Sequence, residues 1–326
     1  VDGGTIKLDG NYPTGTGNVA LGNAALDAGS LADNFNTAIG SSALSANTGG
    51  QGNTAVGYTA LLFNTDGDEN TALGQYALYD NTTGASNVAV GRSALENNTT
   101  GAESVAVGYQ AGFANTTGRI TAVGRHAIKS NTTATENTGI GYRALRDTTT
   151  GANNTAVGGD ALLSNTTGAA NTAIGFEALN TYNVTDSGQD YNVAVGFRAG
   201  KAISTGSQNI FIGGNSAAGA TITGSHNVGV GQNSMYNLTT GASNTSIGGF
   251  SGSGHALNDI TTGSQNTAVG AGALHANTTA IHNTGVGNRA WAAVTTGTRN
   301  TCVGSGAGDA ITTGGKHTIV GRYNGN

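Results

Sequence analysis

A five-residue pattern, Asn-Thr-Ala-Val-Gly, recurs eighteen times between Asn18 and Gly321, and twelve of the seventeen intervals between successive motif glycines are 17 residues. A repeat this short cannot bury its own apolar face, so the chain must fold by stacking each repeat on its neighbours as a solenoid. The pattern crosses nearly all of the 326 residues without a linker-like break. One elongated domain is therefore expected, in place of the two globular domains that such a length suggests. Its parts read as a lead-in over 1–17, an all-β parallel roll of eighteen coils over 18–321, and a short C-terminal junction over 322–326.

Composition matters here because 56 glycines and 10% charged residues resemble low complexity. Disorder is driven by high net charge and scarce β-branched residues. This chain has a net charge of only −5, and its Val, Ile and Thr recur in register. Pro13 is the only proline, which leaves nearly every backbone N–H free to donate to a stacked ladder. The 13 Lys and Arg are scattered, so neither a nucleic-acid nor an anionic-membrane partner is expected. No apolar run reaches membrane-spanning length, so no membrane insertion is expected. There is no secretory signal peptide, and the chain begins at Val1, which reads as a fragment or a processed product. Cys302, the lone cysteine, takes the slot that Ala fills in most repeats and reads as a small buried hydrophobe.

Residues 53–61, Asn-Thr-Ala-Val-Gly-Tyr-Thr-Ala-Leu, typify one coil. Alternate side chains of a strand share a face, so Thr54 and Val56 point one way and Ala55 the other. The fourth motif position is Val, Ile or Leu in every repeat, and the third is Ala, Gly, Ser or Cys in all but Phe211 and Ile319. No Asp, Glu, Lys or Arg falls within any of the eighteen motifs. The expectation is a core column of Val56, Leu73, Val90, Val157 and Ile174, with the small residues on the opposite face. Both faces are expected to be buried, the second against identical chains around a symmetry axis.

Asn fills the first position in fifteen repeats, and Asn53, Asn70, Asn87, Asn154 and Asn171 are candidates for a hydrogen-bonded ladder. Gly57, Gly74, Gly91, Gly158 and Gly175 suit a turn that needs positive φ or lacks room for a Cβ. The two positions after Gly vary widely and read as solvent-facing, whereas Leu61, Leu78, Leu95, Leu145, Leu162 and Leu179 read as stacked core. At the usual strand spacing, seventeen intervals give a rod of roughly 80 Å, a spacer by shape.

Catalytic and metal-binding patterns are weak. The six histidines fall at no metal-ligand spacing, and the acidic turn at residues 66–69 lacks calcium-loop spacing. Asp160, Glu177, Asp186 and Asp190 crowd neighbouring coils and are the first place to look for a glycosidase-like carboxylate pair. Sequons such as Asn81-Thr82-Thr83, Asn115-Thr116-Thr117 and Asn165-Thr166-Thr167 arise automatically from a repeated Asn-Thr-Thr-Gly turn, and the same turn lays down a Thr-Thr column of the kind ice-binding solenoids use. Recognition is best sought where the period stretches, at Tyr182 to Tyr191 and Phe250 to Asp259, with Tyr182, Tyr191, Phe250 and His255 as candidates. Aromatics at the first outward position, including Tyr58, Tyr109, Tyr142, Phe176 and Phe197, suit either sugar stacking or packing over strand edges.

The motif resembles the Asn-Ser-Val-Ala-Ile-Gly repeats of YadA-like trimeric adhesin heads. Residues 70–84 and 154–168 are closer still to the Asn-Thr-Ala-x-Gly-Tyr-x-Ala-Leu-x-x-Asn-Thr-Thr-Gly repeats of phage tail fibres, and the ends resemble cyanophage-type fibre proteins. The likeness covers about residues 17 to 321. It implies a left-handed parallel β-roll in a homotrimer, a structural segment of a virion tail fibre without enzymatic activity or cofactor. Host-surface polysaccharide is the external partner it implies, through the loops. A bacterial trimeric surface adhesin or extracellular filament is the alternative, and a polysaccharide-degrading tailspike the lesser one. In such fibres an intramolecular chaperone domain often follows and cleaves itself off; no such domain occurs in these 326 residues.

Overall fold

The computed structural model describes residues 17–28, 35–184, 188, 190–249 and 254–322. The chain forms two compact units, 1–154 and 155–326. In the first, eight strands from β1 (Val19–Leu21) to β8 (Asn137–Ile140) pair in chain order. In the second, ten strands from β9 (Thr155–Val157) to β18 (Thr318–Val320) do the same. Every pairing is parallel and the described residues contain no helix, so each unit is a β-solenoid with one short strand per repeat. Equivalent residues pair in register, Thr54 with Thr71, Ala55 with Ala72 and Val56 with Leu73, which turns each motif position into a column.

The glycine column turns the chain out of each strand. Gly57, Gly74, Gly91, Gly158 and Gly175 adopt φ of +138°, +137°, +126°, +134° and +133°, where an L side chain is strained. Space is lacking too, since a Cβ on Gly57 would sit 2.6 Å from the carbonyl carbon of Gly74. Two positions beyond the glycine are also left-handed without being glycine, as at Thr59 (φ 51°), Leu61 (φ 53°), Tyr76 (φ 59°) and Leu78 (φ 50°). Each costs about 1–2 kcal/mol of backbone strain. At Leu61 and Leu78 complete burial offsets it, worth about 2 kcal/mol per side chain.

Two asparagine columns run inside the first unit. In one, Asn70 N–H donates to Asn53 Oδ1 (2.9 Å) and Asn87 N–H to Asn70 Oδ1 (3.0 Å). Asn154 continues it, donating its backbone N–H to Asn137 Oδ1 (2.9 Å), and in the second unit Asn192 N–H donates to Asn171 Oδ1 (3.1 Å). The other column comes from the Asn-Thr-Thr-Gly turn: Asn81 Nδ2 donates to Asn64 Oδ1 (2.7 Å) and Asn98 Nδ2 to Asn81 Oδ1 (2.8 Å). The columns meet at the turn glycine, whose carbonyl accepts from both. Gly84 O takes Asn70 Nδ2 at 2.8 Å and Asn81 Nδ2 at 2.9 Å. All these asparagines are fully buried, so every polar atom needs such a partner. Where Ser104 replaces Asn, its hydroxyl donates to Gly118 O (3.1 Å) and accepts from Ile120 N–H (3.2 Å), so the column continues. In the second unit Asn165 and Asn277 keep the second column, and Tyr182, Ile203, Leu238, Ile260 and Val294 take other places in it, all fully buried.

The strand faces are the reverse of the expected arrangement. Ala55, Ala72, Ala89, Ala156 and Ala173 are fully buried inside the coil. The expected core column of Val56, Leu73, Val90, Val157 and Ile174 lies instead on the outward face, where Leu73 is 37% and Ile174 40% exposed. The reason is volume. The interior of a coil already holds Leu61, Ala60, Asn53 and Asn64, and close packing leaves the strand room for only a methyl group inside.

Departures from the repeat compensate one another across coils. Where the stacked Leu becomes Gly200, the ring of Phe211, in the small-residue column of the next coil, fills the space; a Cβ on Gly200 would lie 3.5 Å from its Cδ2. Gly308 is matched the same way by Ile319, whose Cδ1 would be 3.2 Å away; Gly112 is matched from the asparagine column, by Ile120, whose Cδ1 would be 2.8 Å away. Each glycine also adopts a left-handed φ, between 57° and 70°. Thus each of these three glycines is paired with a larger side chain that occupies the space its own Leu would take.

Candidate functional site

The outward strand face is the most regular surface on the molecule. In the first unit it carries Thr or Val at the second motif position and Leu21, Ile39, Val56, Leu73, Val90, Val107, Val123 and Ile140 at the fourth. In the second unit the fourth position runs from Val157 to Val320. Ile39, Leu73, Val107 and Ile140 are 36–39% exposed, and Ile174, Ile212, Ile247 and Val303 37–42%. With no Asp, Glu, Lys or Arg in any motif, this is a continuous apolar stripe on each unit, of the kind that marks an interaction surface.

Of the four recognition candidates, Tyr182 is corrected: it is fully buried, because it occupies the second asparagine column, beneath the turn at Gly168. Tyr191 is 51% exposed. Phe250 lies outside the described residues. His255 is half-buried in a polar cluster, its Nε2 3.2 Å from Asn233 Nδ2 and its carbonyl 3.2 Å from His275 Nδ1. His275 Nε2 lies 3.8 Å from Asp259 Oδ2. Among the described residues no group of three His, Cys, Asp or Glu is placed to hold a metal ion.

The acidic candidates have structural partners. Glu177 accepts from Lys201 Nζ (2.7 Å) and Arg198 Nε (2.8 Å). The Lys201 bond, and then that of Arg198, hold its carboxyl below the usual carboxylate range against the opposing effect of burial. Asp190 is buried and accepts from Ala169 N–H at 3.1 Å, closing the insertion back onto the preceding coil. Asp160 is buried in the left-handed position after Gly158, and Asp186 lies outside the described residues. Burial raises the pKa of the Cys302 thiol in the alanine column.

The sequons and the threonine column are also absorbed by the coil. Asn81, Asn115 and Asn165 are fully buried with Nδ2 donated to a turn glycine carbonyl, which closes them to glycosylation in the folded chain. The first Thr of several pairs donates its hydroxyl to the next coil, as Thr82 Oγ1 does to Thr99 O (3.0 Å) and Thr116 Oγ1 to Thr132 O (2.9 Å).

The first position after Gly is exposed as expected, but the second is left-handed and variably buried: Thr59 and Ser93 lie inside. Aromatic side chains there pack on one another. Tyr58 meets Tyr76 edge to face at 5.7 Å, Tyr76 meets Tyr79 at 5.6 Å, and Phe63 meets Tyr79 at 5.1 Å. In the second unit Phe176 stacks on Phe197 at 5.8 Å. Sequence reasoning missed the pairing of these aromatics with arginines on adjacent coils; the signal was the alternation Arg92, Tyr109, Arg125, Tyr142 at one motif position.

Among the described residues no helix is long and apolar enough to cross a membrane. No family model matches the chain, and no curated protein matches it.

Proposed function

We propose that this chain is a structural shaft segment of a phage tail fibre, assembled as a homotrimer through the outward faces of its strands. The observation that carries the reading is the uncharged Val, Ile and Leu column left half-exposed on coil after coil. Burying it against two further copies satisfies every coil at once, since a periodic surface in register with its own copies repeats one contact along the whole column. The left-handed, threefold form and the placement on a virion rest on the likeness of the repeats to those of tail fibres. The reading needs no catalysis and no cofactor: Glu177 and Asp190 are engaged in holding coils together.

The experiment is immunogold labelling with an antibody raised against the chain. Label along the tail fibres of virions supports the fibre reading. Label on bacterial cell surfaces in the absence of virions would replace it with a surface adhesin, and release of reducing ends from host polysaccharide by the purified chain would replace it with a tailspike enzyme.

A further inference from the structure

In the first unit, four successive coils place Arg92, Tyr109, Arg125 and Tyr142 at the same motif position, immediately after the turn glycine. The side chains interleave. Arg92 Cζ lies 5.9 Å from the centroid of the Tyr109 ring, and Arg125 Cζ 5.8 Å from the same ring and 5.9 Å from that of Tyr142. Arg143, the next residue, sits over Tyr142 at 4.7 Å. A guanidinium held against aromatic rings keeps its planar set of N–H donors while losing much of its rotamer freedom. Arg92, Tyr109, Arg125 and Tyr142 are all exposed, and neither Arg92 nor Arg125 is within ion-pair distance of a carboxylate among the described residues.

At the Arg125 end of the ladder the neighbouring charges are mostly positive, in a chain whose net charge is −5. Lys129 packs on the Phe113 ring at 6.0 Å, and Asp147 is already engaged by Arg146 at 2.7 Å. His126, beside Arg125, reports that field: burial, then the charges of Lys129, Arg125, Arg146 and Arg143, hold its pKa below the usual histidine value.

We propose that this ladder binds an acidic polysaccharide, with Arg92 and Arg125 taking carboxylate or sulfate groups on neighbouring sugars. Arg92 and Arg125 are two coils apart, about 10 Å at the usual strand spacing, a span close to one extended disaccharide. Nucleic acid fits poorly, because unpaired bases bind by stacking on open aromatic faces. Here guanidinium groups from the coil before and the coil after take up the faces of Tyr109. The assignment places recognition outside the two insertions and does not rest on the shaft reading or on assembly.

The test is calorimetric titration of the whole chain with polygalacturonate, with dextran sulfate and with neutral dextran. The two charged polymers distinguish carboxylate from sulfate, and binding of either one, weakened by salt, supports the site. Arg92→Gln with Arg125→Gln should weaken binding by about tenfold with unchanged melting. The control pair Arg289→Gln with Arg299→Gln, both exposed in the second unit, should bind as the parent does. Arg125→Lys keeps the charge but loses the planar fork, and should bind several-fold more weakly. Equal affinity of the parent and the Arg92/Arg125 variant would overturn the proposal, as would equal binding of neutral dextran. Tighter binding of a thymidine oligonucleotide than of either charged polymer would overturn it in favour of nucleic acid. No polymer binding together with loss of self-association in the Arg92/Arg125 variant would overturn it in favour of a contact between copies.

Discussion

Each coil depends on a few residues whose roles are not interchangeable. Gly57 combines a left-handed backbone with carbonyl atoms of the next coil where a Cβ would go. Gly57→Ala should therefore cost about 3 kcal/mol, seen as a lower midpoint in denaturant with the β signal retained. An unchanged midpoint would mean that the coils separate locally to admit the methyl group. Both the glycine turn and the first asparagine column were legible in the sequence, because Gly holds its position in every repeat and Asn holds its own in fifteen of eighteen. The second column at Asn64, Asn81 and Asn98 was not. Asn-Thr-Thr-Gly reads equally well as a solvent-facing turn, and only the double acceptance at Gly84 O reveals it as interior.

Along one element, the alternation of the strand was legible but its orientation was not. Bulky aliphatic residues usually point inward, yet a strand backed by stacked Leu61 and Leu78 and two asparagine columns has room inside only for Ala. The structure thus makes opposite predictions for neighbouring positions. Ala89→Asp should prevent folding, by placing an unpaired charge in a sealed column, with a cost above about 4 kcal/mol. Leu73, Val107 and Ile140 all changed to Asp should leave circular dichroism close to that of the parent. The reverse ranking would mean that the faces are the other way round. Volume matching between coils allows a second test at Gly200 and Phe211. Gly200→Leu should cost about 2 kcal/mol and Phe211→Ala about 3 kcal/mol. The double substitution restores the ordinary Leu and Ala pairing, so it should be more stable than the sum by about 1–2 kcal/mol. Strict additivity would contradict the compensation. The sequence marked Phe211 and Gly200 as separate exceptions; adjacent coils had to be stacked before they became one event.

For the whole molecule, the central claim is that a surface without Asp, Glu, Lys or Arg in any of its eighteen repeats is covered by copies of the same chain. The period and the absence of charge in the sequence point to two-sided burial, but which side would need a partner depends on what fills the coil. Of the insertion candidates, Tyr182 is interior, while the ladder proposed to bind acidic sugars, from Arg92 to Tyr142, lies away from both insertions. The most direct measurement is multi-angle light scattering of the purified chain beside its Leu73, Val107 and Ile140 to Asp variant. The account predicts a particle of three times the 32.0 kDa chain mass for the parent and loss of that particle in the variant, with β structure kept. A stable, folded monomer of the parent chain would contradict it.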